Sequence, residues 1–365
     1  MPLVLTALCL AVGSPYTQAA QQLEILHSEP AMHRAVLATE VASLDTGEVI
    51  YRRNHNKLLV PASTLKLLTT IAALEKLGDE TRFVTDLGSS GGVRDGTLEG
   101  NLVIRGGGDP TLGAEDLWPL LAGWADALRA QGIRRVRGDI VGDESLFGAT
   151  KYGPGWMWDD MAWDFSAPIN ALAIQENVVT VTLAPAPVVG DRVSAFTALP
   201  ECLTYINDVL TVPSGKGSDV QAARQADGTT VLTGFVAADV QAKSIDLAMQ
   251  DPALCTARLT RAALASRGIL VTGTARMATA EESIADFQVL ATHSSEPLGQ
   301  VATELLKRSQ NLYAEMLLRH FAVESRGKTG EAGLGVVEDV LRTAGVPDDA
   351  YRLYDGSGLS RYDML

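Results

Sequence analysis

The sequence predicts an α/β (α+β) fold: a helix-bearing domain interrupted by a large strand-rich insertion. Three observations predict it. Residues 35–52 (AVLATEVASLDTGEVIYR) alternate in strand fashion around Asp45-Thr46-Gly47 and lead into a helical pattern. Residues 79 to about 285 hold many short strand-like runs separated by Gly-rich loops. Helical periodicity returns near Pro297 and persists almost to the end. The expected boundaries are a first part of the helix-bearing domain over 21–82, an insertion over 83–288 and a second part of that domain over 289–365.

Each element has its own signal. Pro61 introduces ASTLKLLTTIAALEKLG, where Leu65, Leu68, Ile71, Ala72 and Leu74 recur at helical spacing and Gly78 is a natural C-cap. In the insertion, Asn101–Ile104, Val178–Leu183, Val231–Val236 and Ile269–Ala275 read as strands. Gly88–Gly92 and Gly106–Gly108 read as loops, and Leu117–Gln131 as the one clear helix. PLGQVATELLKRS, NLYAEMLLRHFAVES and GEAGLGVVEDVLRTAG read as three further helices. The sequence closes on DGSGLSRYDML, a Gly/Ser-rich loop with no closing helix or strand after it.

Composition narrows the class. With 365 residues there is room for two or three domains, and 46% hydrophobic with 20% charged residues is ordinary for a globular chain. Acidic residues (44) exceed basic ones (30), for a formal charge of −14, which argues against a broad nucleic-acid footprint. The run Leu3 to Val12 is too short to span a bilayer and resembles the apolar part of a secretory signal. Cleavage is expected after Ala19 or Ala20, so residues 1–20 read as a signal peptide; a charged start is missing, and a buried strand or helix is the plainer alternative. No later run approaches transmembrane length, so no transmembrane anchor is expected. Cys9 falls in the leader. Cys202 and Cys255 could pair in an oxidising compartment, and two reduced buried thiols fit the sequence nearly as well.

The strongest chemical feature is Ser63-Thr64-Leu65-Lys66. Positions i and i+3 share a helix face, so a hydroxyl and an amine can meet there. A partly desolvated lysine can activate a serine, and a helix N-terminus favours developing negative charge. Alone, the pattern arises by chance, and Ser63 would serve equally as a helix cap. Ser309-Gln310-Asn311, between two predicted helices, could present a hydroxyl and an amide to that nucleophile; in isolation these are common helix-boundary residues.

In order and far apart, the two motifs are part of the S-x-x-K, S-x-N and K-T-G set of penicillin-binding proteins and serine β-lactamases. PASTLKLLTT, GGGDPTL, PGWMWDDMAWDFSAP, RSQNLYAEMLLR and DGSGLSRYD together resemble the class C low-molecular-mass penicillin-binding proteins, the D-alanyl-D-alanine carboxypeptidases/endopeptidases. The resemblance runs from about residue 25 to residue 365. It implies a penicillin-binding/serine β-lactamase-like transpeptidase domain and a serine peptidase acting on peptidoglycan stem peptides, with β-lactams as covalent inhibitors. Ser63 would attack the penultimate D-Ala carbonyl, Lys66 would activate it, Ser309 would relay the proton to the leaving amine, and Asn311 would hold the substrate amide. Backbone N–H groups, one of them from Ser63, would hold the oxyanion. Asp160, Phe165 and Arg361 match family positions that bind the amino end of the peptide's diamino acid; Asp160 as a loop cap and Phe165 as core are the plainer readings. The expected location is outside the inner membrane, periplasmic or wall-associated.

The third motif departs from the family. Lys328-Thr329-Gly330 has the right letters but precedes a predicted helix (Glu331–Ala344), so it reads as a decoy. The working K-T-G strand is expected beyond Leu365, which makes the chain read as a truncated, inactive form of an active enzyme. Gln310 stands where aspartate is common, a tolerable change. A catalytically dead wall-binding or scaffolding protein and a β-lactamase are the alternatives.

Other motifs fail. Gly88-Ser89-Ser90-Gly91-Gly92 has the letters of a nucleophile elbow without the following helix. His27, His33, His55, His293 and His320 show no metal-binding spacing and give no support for a Ser-His-Asp triad. Gly106-Gly107-Gly108 lacks the Lys-Ser/Thr of a phosphate loop. No metal and no cofactor are expected.

Overall fold

The computed structural model describes residues 16–89, 91–283, 287–324 and 329–365. The apolar run Leu3 to Val12 and Cys9 lie outside them, as does Ser90 of the elbow-like string and Lys328 of the K-T-G string. The chain divides into two compact units, residues 1–59 with Leu365, and residues 60–364.

In the first unit, α1 (Thr17–His27) precedes β1 (Thr39–Ala42) and β2 (Val49–Arg53), which pair antiparallel. The expected turn closes this hairpin: Gly47 donates to the Ser43 carbonyl at 2.8 Å with φ 71°, a left-handed value that glycine adopts without a Cβ penalty. Glu24 of α1 takes Tyr51 Oη at 2.7 Å and Arg53 Nη1 at 3.0 Å from β2. Ala19 and Ala20, the expected cleavage positions, lie in the first turn of α1.

The second unit opens with a 3-10 turn (Ala62–Leu65) running into α2 (Lys66–Lys76). There follow β3 (Val84–Ser89), β4 (Val93–Arg94), β5 (Thr97–Glu99), β6 (Leu102–Arg105), α3 (Leu117–Ala130), β7 (Arg135–Arg137) and β8 (Ile140–Asp143). Next come β9 (Val178–Ala184), β10 (Ser194–Phe196), β11 (Tyr205–Asn207), β12 (Leu210–Val212), β13 (Ser218–Arg224), β14 (Thr230–Ala237) and β15 (Lys243–Ala248). Then α4 (Pro252–Ser266), β16 (Leu270–Val271), β17 (Ala275–Met277), α5 (Ala280–Ser283), β18 (Gln288–Ser294), α6 (Leu298–Arg308), α7 (Asn311–Glu324) and α8 (Gly330–Thr343) complete it.

Among the described residues, the strands of this unit form four sheets: β17-β8-β6-β3-β18, β16-β7-β5-β4, β10-β9-β15, and β11-β14-β12 with β13 also on β14. Strand pairs β5/β6, β7/β8 and β16/β17 each pass from the second of these sheets to the first. This corrects the expected single strand Ile269–Ala275. The chain breaks at Gly273, where a Cβ would lie 2.3 Å from the Gly138 carbonyl, so two backbones meet with no room for a side chain. Gly88 and Ser89, expected as loop, end β3. Leu121, Trp124 and Leu128 of α3, Leu259 and Leu264 of α4 and the sheet residues Ile104, Val136, Ile140 and Val181 are buried in one apolar core. Cys202 and Cys255 form a disulfide that ties a 3-10 turn (Pro200–Cys202) to α4, settling the open alternative in favour of the paired state.

Helix α2 packs against α6, α7 and α8, so residues distant in sequence share one helical layer. Its buried face is not the expected stripe. Leu65, Lys66, Thr69, Thr70, Ala72 and Ala73 face inward, whereas Ile71 and Leu74 are exposed. Small and polar residues let the helices approach closely and give Lys66 and Thr69 polar partners inside.

Candidate active site

The site begins at the 3-10 turn before α2. Ala62 has φ 47°, a left-handed value that costs a non-glycine residue energy and is held only by its surroundings. One such contact is clear. Gly358 (φ 77°) comes so close that a Cβ there would lie 1.9 Å from the Ala62 carbonyl. The next residue, Ser63, is exposed. One turn on, Lys66 is buried, and its Nζ donates to Ser63 Oγ at 2.9 Å and to the Ser357 carbonyl at 2.8 Å. Desolvation dominates over the neighbouring Glu315 and Asp355 charges and pulls Lys66 down to about 8. A lysine at that value sheds its proton near neutral pH, and the free amine can then accept the Ser63 proton.

The second motif is the turn between α6 and α7. Ser309 ends α6 in a left-handed conformation (φ 57°, ψ 43°), exposed, and Asn311 opens α7. Asn311 Nδ2 donates to the Phe165 carbonyl at 2.7 Å, which joins α7 to the WDDMAWDF segment. Glu176 clamps the turn. Its carboxylate takes Arg308 Nη1 and Nη2 at 2.8 and 2.9 Å, Gln310 Nε2 at 2.7 Å and Tyr313 Oη at 2.8 Å. That contact gives Gln310 a physical reason: an aspartate there would set a second carboxylate against Glu176.

Asp160 ends a 3-10 turn (Trp158–Asp160), half-buried, and Phe165 stands exposed five residues on. Arg361 meets the same segment: its backbone N–H donates to the Gly155 carbonyl at 3.3 Å and its Nε approaches Met157 Sδ at 3.3 Å. Thr329 of the K-T-G string is the N-cap of α8 and accepts the Ala332 N–H.

Several site residues were not singled out in the sequence. The Asp355-to-Ser360 loop lies under Ser63, and Glu315, Asp355, Ser357, Thr69 and Trp156 hold it there through buried hydrogen bonds. The available signal was an acidic residue in the apolar run NLYAEMLLR; a carboxylate in a buried helix needs partners. Burial and Asp355 raise Glu315 to about 8. Burial and Asp355 likewise raise Asp363 to about 8. Among the described residues no cluster of His, Cys, Asp and Glu is arranged to hold a metal ion.

Comparison with known proteins gives the family and the fold. Residues 19–365 match the D-Ala-D-Ala carboxypeptidase 3 (S13) family. The chain belongs to that family. This S13 chain is 32% identical to the D-alanyl-D-alanine carboxypeptidase of Actinomadura sp. (strain R39), over 98% of its own length and 68% of the relative's. Its fold is that of penicillin-binding protein 4 (dacB) from Haemophilus influenzae, with a TM-score of 0.79, 27% identity, and coverage of 89% of this chain and 71% of that one. The same Haemophilus protein complexed with a β-lactam superposes with a TM-score of 0.70 at 25% identity. The expected α+β penicillin-binding fold and the serine DD-peptidase class of the S13 chain, a hydrolase, thus hold.

Proposed function

We propose that Ser63 is the nucleophile of this D-Ala-D-Ala peptidase and Lys66 its base. The observation that carries the reading is the 2.9 Å hydrogen bond between Lys66 Nζ and Ser63 Oγ, made by a buried amine whose proton is held weakly. Ser63 attacks the carbonyl of the penultimate D-Ala while Lys66 takes its proton, and the leaving D-Ala amine departs after reprotonation, for which the exposed Ser309 hydroxyl is the relay. Asn311 keeps its amide oxygen for the substrate N–H while its amino group is bound to Phe165. Water then hydrolyses the ester. Asp160, Phe165 and Arg361 form the recognition wall for the amino end of a stem peptide; the approach of Arg361 to residues 155–157 supports the grouping. β-Lactams acylate the same serine.

Residues 21–82 and 289–365 form the catalytic domain in this reading, with 83–288 inserted; the packing of α2 on α6, α7 and α8 supports joining the two parts. Residues 1–20 act as an export signal, and the protein works in the periplasm or at the wall. The Cys202–Cys255 disulfide fits an oxidising compartment. Among the described residues no helix is long and apolar enough to cross a membrane.

The direct test is release of D-Ala from a stem pentapeptide by the chain and by its Ser63→Ala variant. The reading requires release that depends on Ser63. Measurable release that Ser63→Ala leaves unchanged would count against it.

A further inference from the structure

Glu315 is buried in the middle of α7, one turn past Asn311, and has no part in the chemistry above. Its Oε1 accepts two consecutive backbone N–H groups, from Gly356 and Ser357, each at 2.9 Å. The carbonyls of those same residues face α2. The Gly356 carbonyl accepts from Thr69 Oγ1 at 2.7 Å, and the Ser357 carbonyl accepts from Lys66 Nζ at 2.8 Å. Asp355 fastens the loop independently: Oδ1 takes the N–H groups of Ser357 (3.1 Å) and Gly358 (2.7 Å), and Oδ2 takes that of Ser360 (2.7 Å) and Trp156 Nε1 (2.9 Å).

We propose that Glu315 is the positioning residue for Lys66: it fixes the Ser357 carbonyl, which anchors one side of the lysine amine and leaves its other side aimed at Ser63 Oγ. The inference rests on the nucleophile and base assigned above. A lysine head is a compact group on a flexible four-carbon stem, and its lone pair points at Ser63 only if another donor direction is occupied. A buried carboxyl in an apolar helix is costly, and a packing role alone would be filled as well by leucine. What leucine lacks is one atom able to accept two adjacent peptide N–H groups. The charged groups facing Lys66 are Glu315 from α7 and Asp355 from the loop, both favouring the ammonium; Arg319 and Asp355 face Glu315, and Asp363 faces Asp355.

The test uses the whole chain and the variants Glu315→Leu and Glu315→Gln. Two signals are read against pH: the 13C resonance of Lys66 Cε, assigned by its loss in Lys66→Arg, and the rate of acylation by a fluorescent benzylpenicillin. Glu315→Leu is expected to slow acylation about tenfold or more at its plateau. Glu315→Gln, whose amide oxygen accepts the same two N–H groups, is expected to recover most of that loss. Burial and Asp355 keep Glu315 largely protonated below about 8, so Glu315→Gln keeps the same neutral acceptor and is expected to leave the Lys66 midpoint near the wild-type value, whereas Glu315→Leu frees the loop carbonyl that anchors the amine and is expected to move the midpoint and the acid limb of acylation with it. A purely structural role would lower Tm without moving the Lys66 midpoint. The proposal is overturned by an unchanged midpoint in Glu315→Leu, by wild-type acylation in folded Glu315→Leu, or by Glu315→Gln as slow as Glu315→Leu. Should Glu315→Leu not fold, Glu315→Met, which also lacks the accepting oxygen, is read in the same way. Absence of acylation in the unsubstituted chain would sink the nucleophile reading instead, and the Lys66 resonance would still decide the role of Glu315.

Discussion

At the scale of single residues, the proposed chemistry depends on where Lys66 keeps its proton. Above its own value near 8 the amine is free to take the Ser63 proton; below it the ammonium can only donate. Acylation by penicillin is therefore expected to fall about tenfold for each pH unit below that value. The shift has a simple origin, since desolvation of the buried amine outweighs the pull of Glu315 and Asp355 and favours the neutral form. Lys66→Met keeps the length of the side chain and removes the base, and is expected to slow acylation by about 10²- to 10⁴-fold while the fold persists. Stopped-flow acylation across the neutral range checks both statements. The pair Ser63 and Lys66 was legible because its spacing places both on one helix face. Glu315 and Asp355 were not, because their work is to bind backbone N–H groups of a loop whose path no periodicity reveals.

At the scale of elements, α7 carries much of the design. Asn311 starts it, Glu315 holds the loop beneath Lys66, and His320 meets the GGGDPTL loop near its end. His320 stacks on Phe83 at 4.2 Å between ring centroids, meets Phe147 edge-on and has Nε2 3.0 Å from the Gly108 carbonyl. Burial lowers His320 from 6.5 to about 4. The unfolded chain thus binds a proton below 6.5 that the folded chain refuses, so this stability is complete above pH 6.5 and is lost as pH falls toward 4. The loss amounts to ~3 kcal/mol at most, and His320→Phe is expected to flatten the acid limb of a Tm-against-pH curve in that window. Glu176→Ala releases Arg308, Gln310 and Tyr313 together and, with Arg308 half-exposed, is expected to cost ~1–2 kcal/mol of stability by denaturant unfolding and to slow acylation by loosening the Ser309 turn. The helices α3, α6, α7 and α8 announced themselves by their repeating apolar positions. Helix α4 did not. Ala253, Cys255, Thr256, Ala257, Leu259, Thr260, Ala263 and Leu264 bury it on several sides, and small residues spread around a helix leave no amphipathic stripe to read.

At the scale of the whole molecule, the family and its reaction class were readable from long motifs in a fixed order, while the sheet order was not. Short strands that hop between two sheets at Gly138 and Gly273 look like single broken strands until their hydrogen-bond partners are known. The disulfide closes a loop with a sequence separation of 53, which corresponds to ~4 kcal/mol of stability in the chain-entropy picture. Reduction, or Cys202→Ser with Cys255→Ser, is expected to lower the unfolding free energy by up to that amount and leave acylation of Ser63 in place, because the bond lies in the α4 region and not in the α2–α7 layer. The most direct test of the central claim is intact-mass and peptide mapping of the chain after exposure to benzylpenicillin. One covalent adduct on the peptide bearing Ser63, absent from Ser63→Ala, is the predicted result; a folded chain with no adduct, or an adduct that survives the substitution, contradicts it.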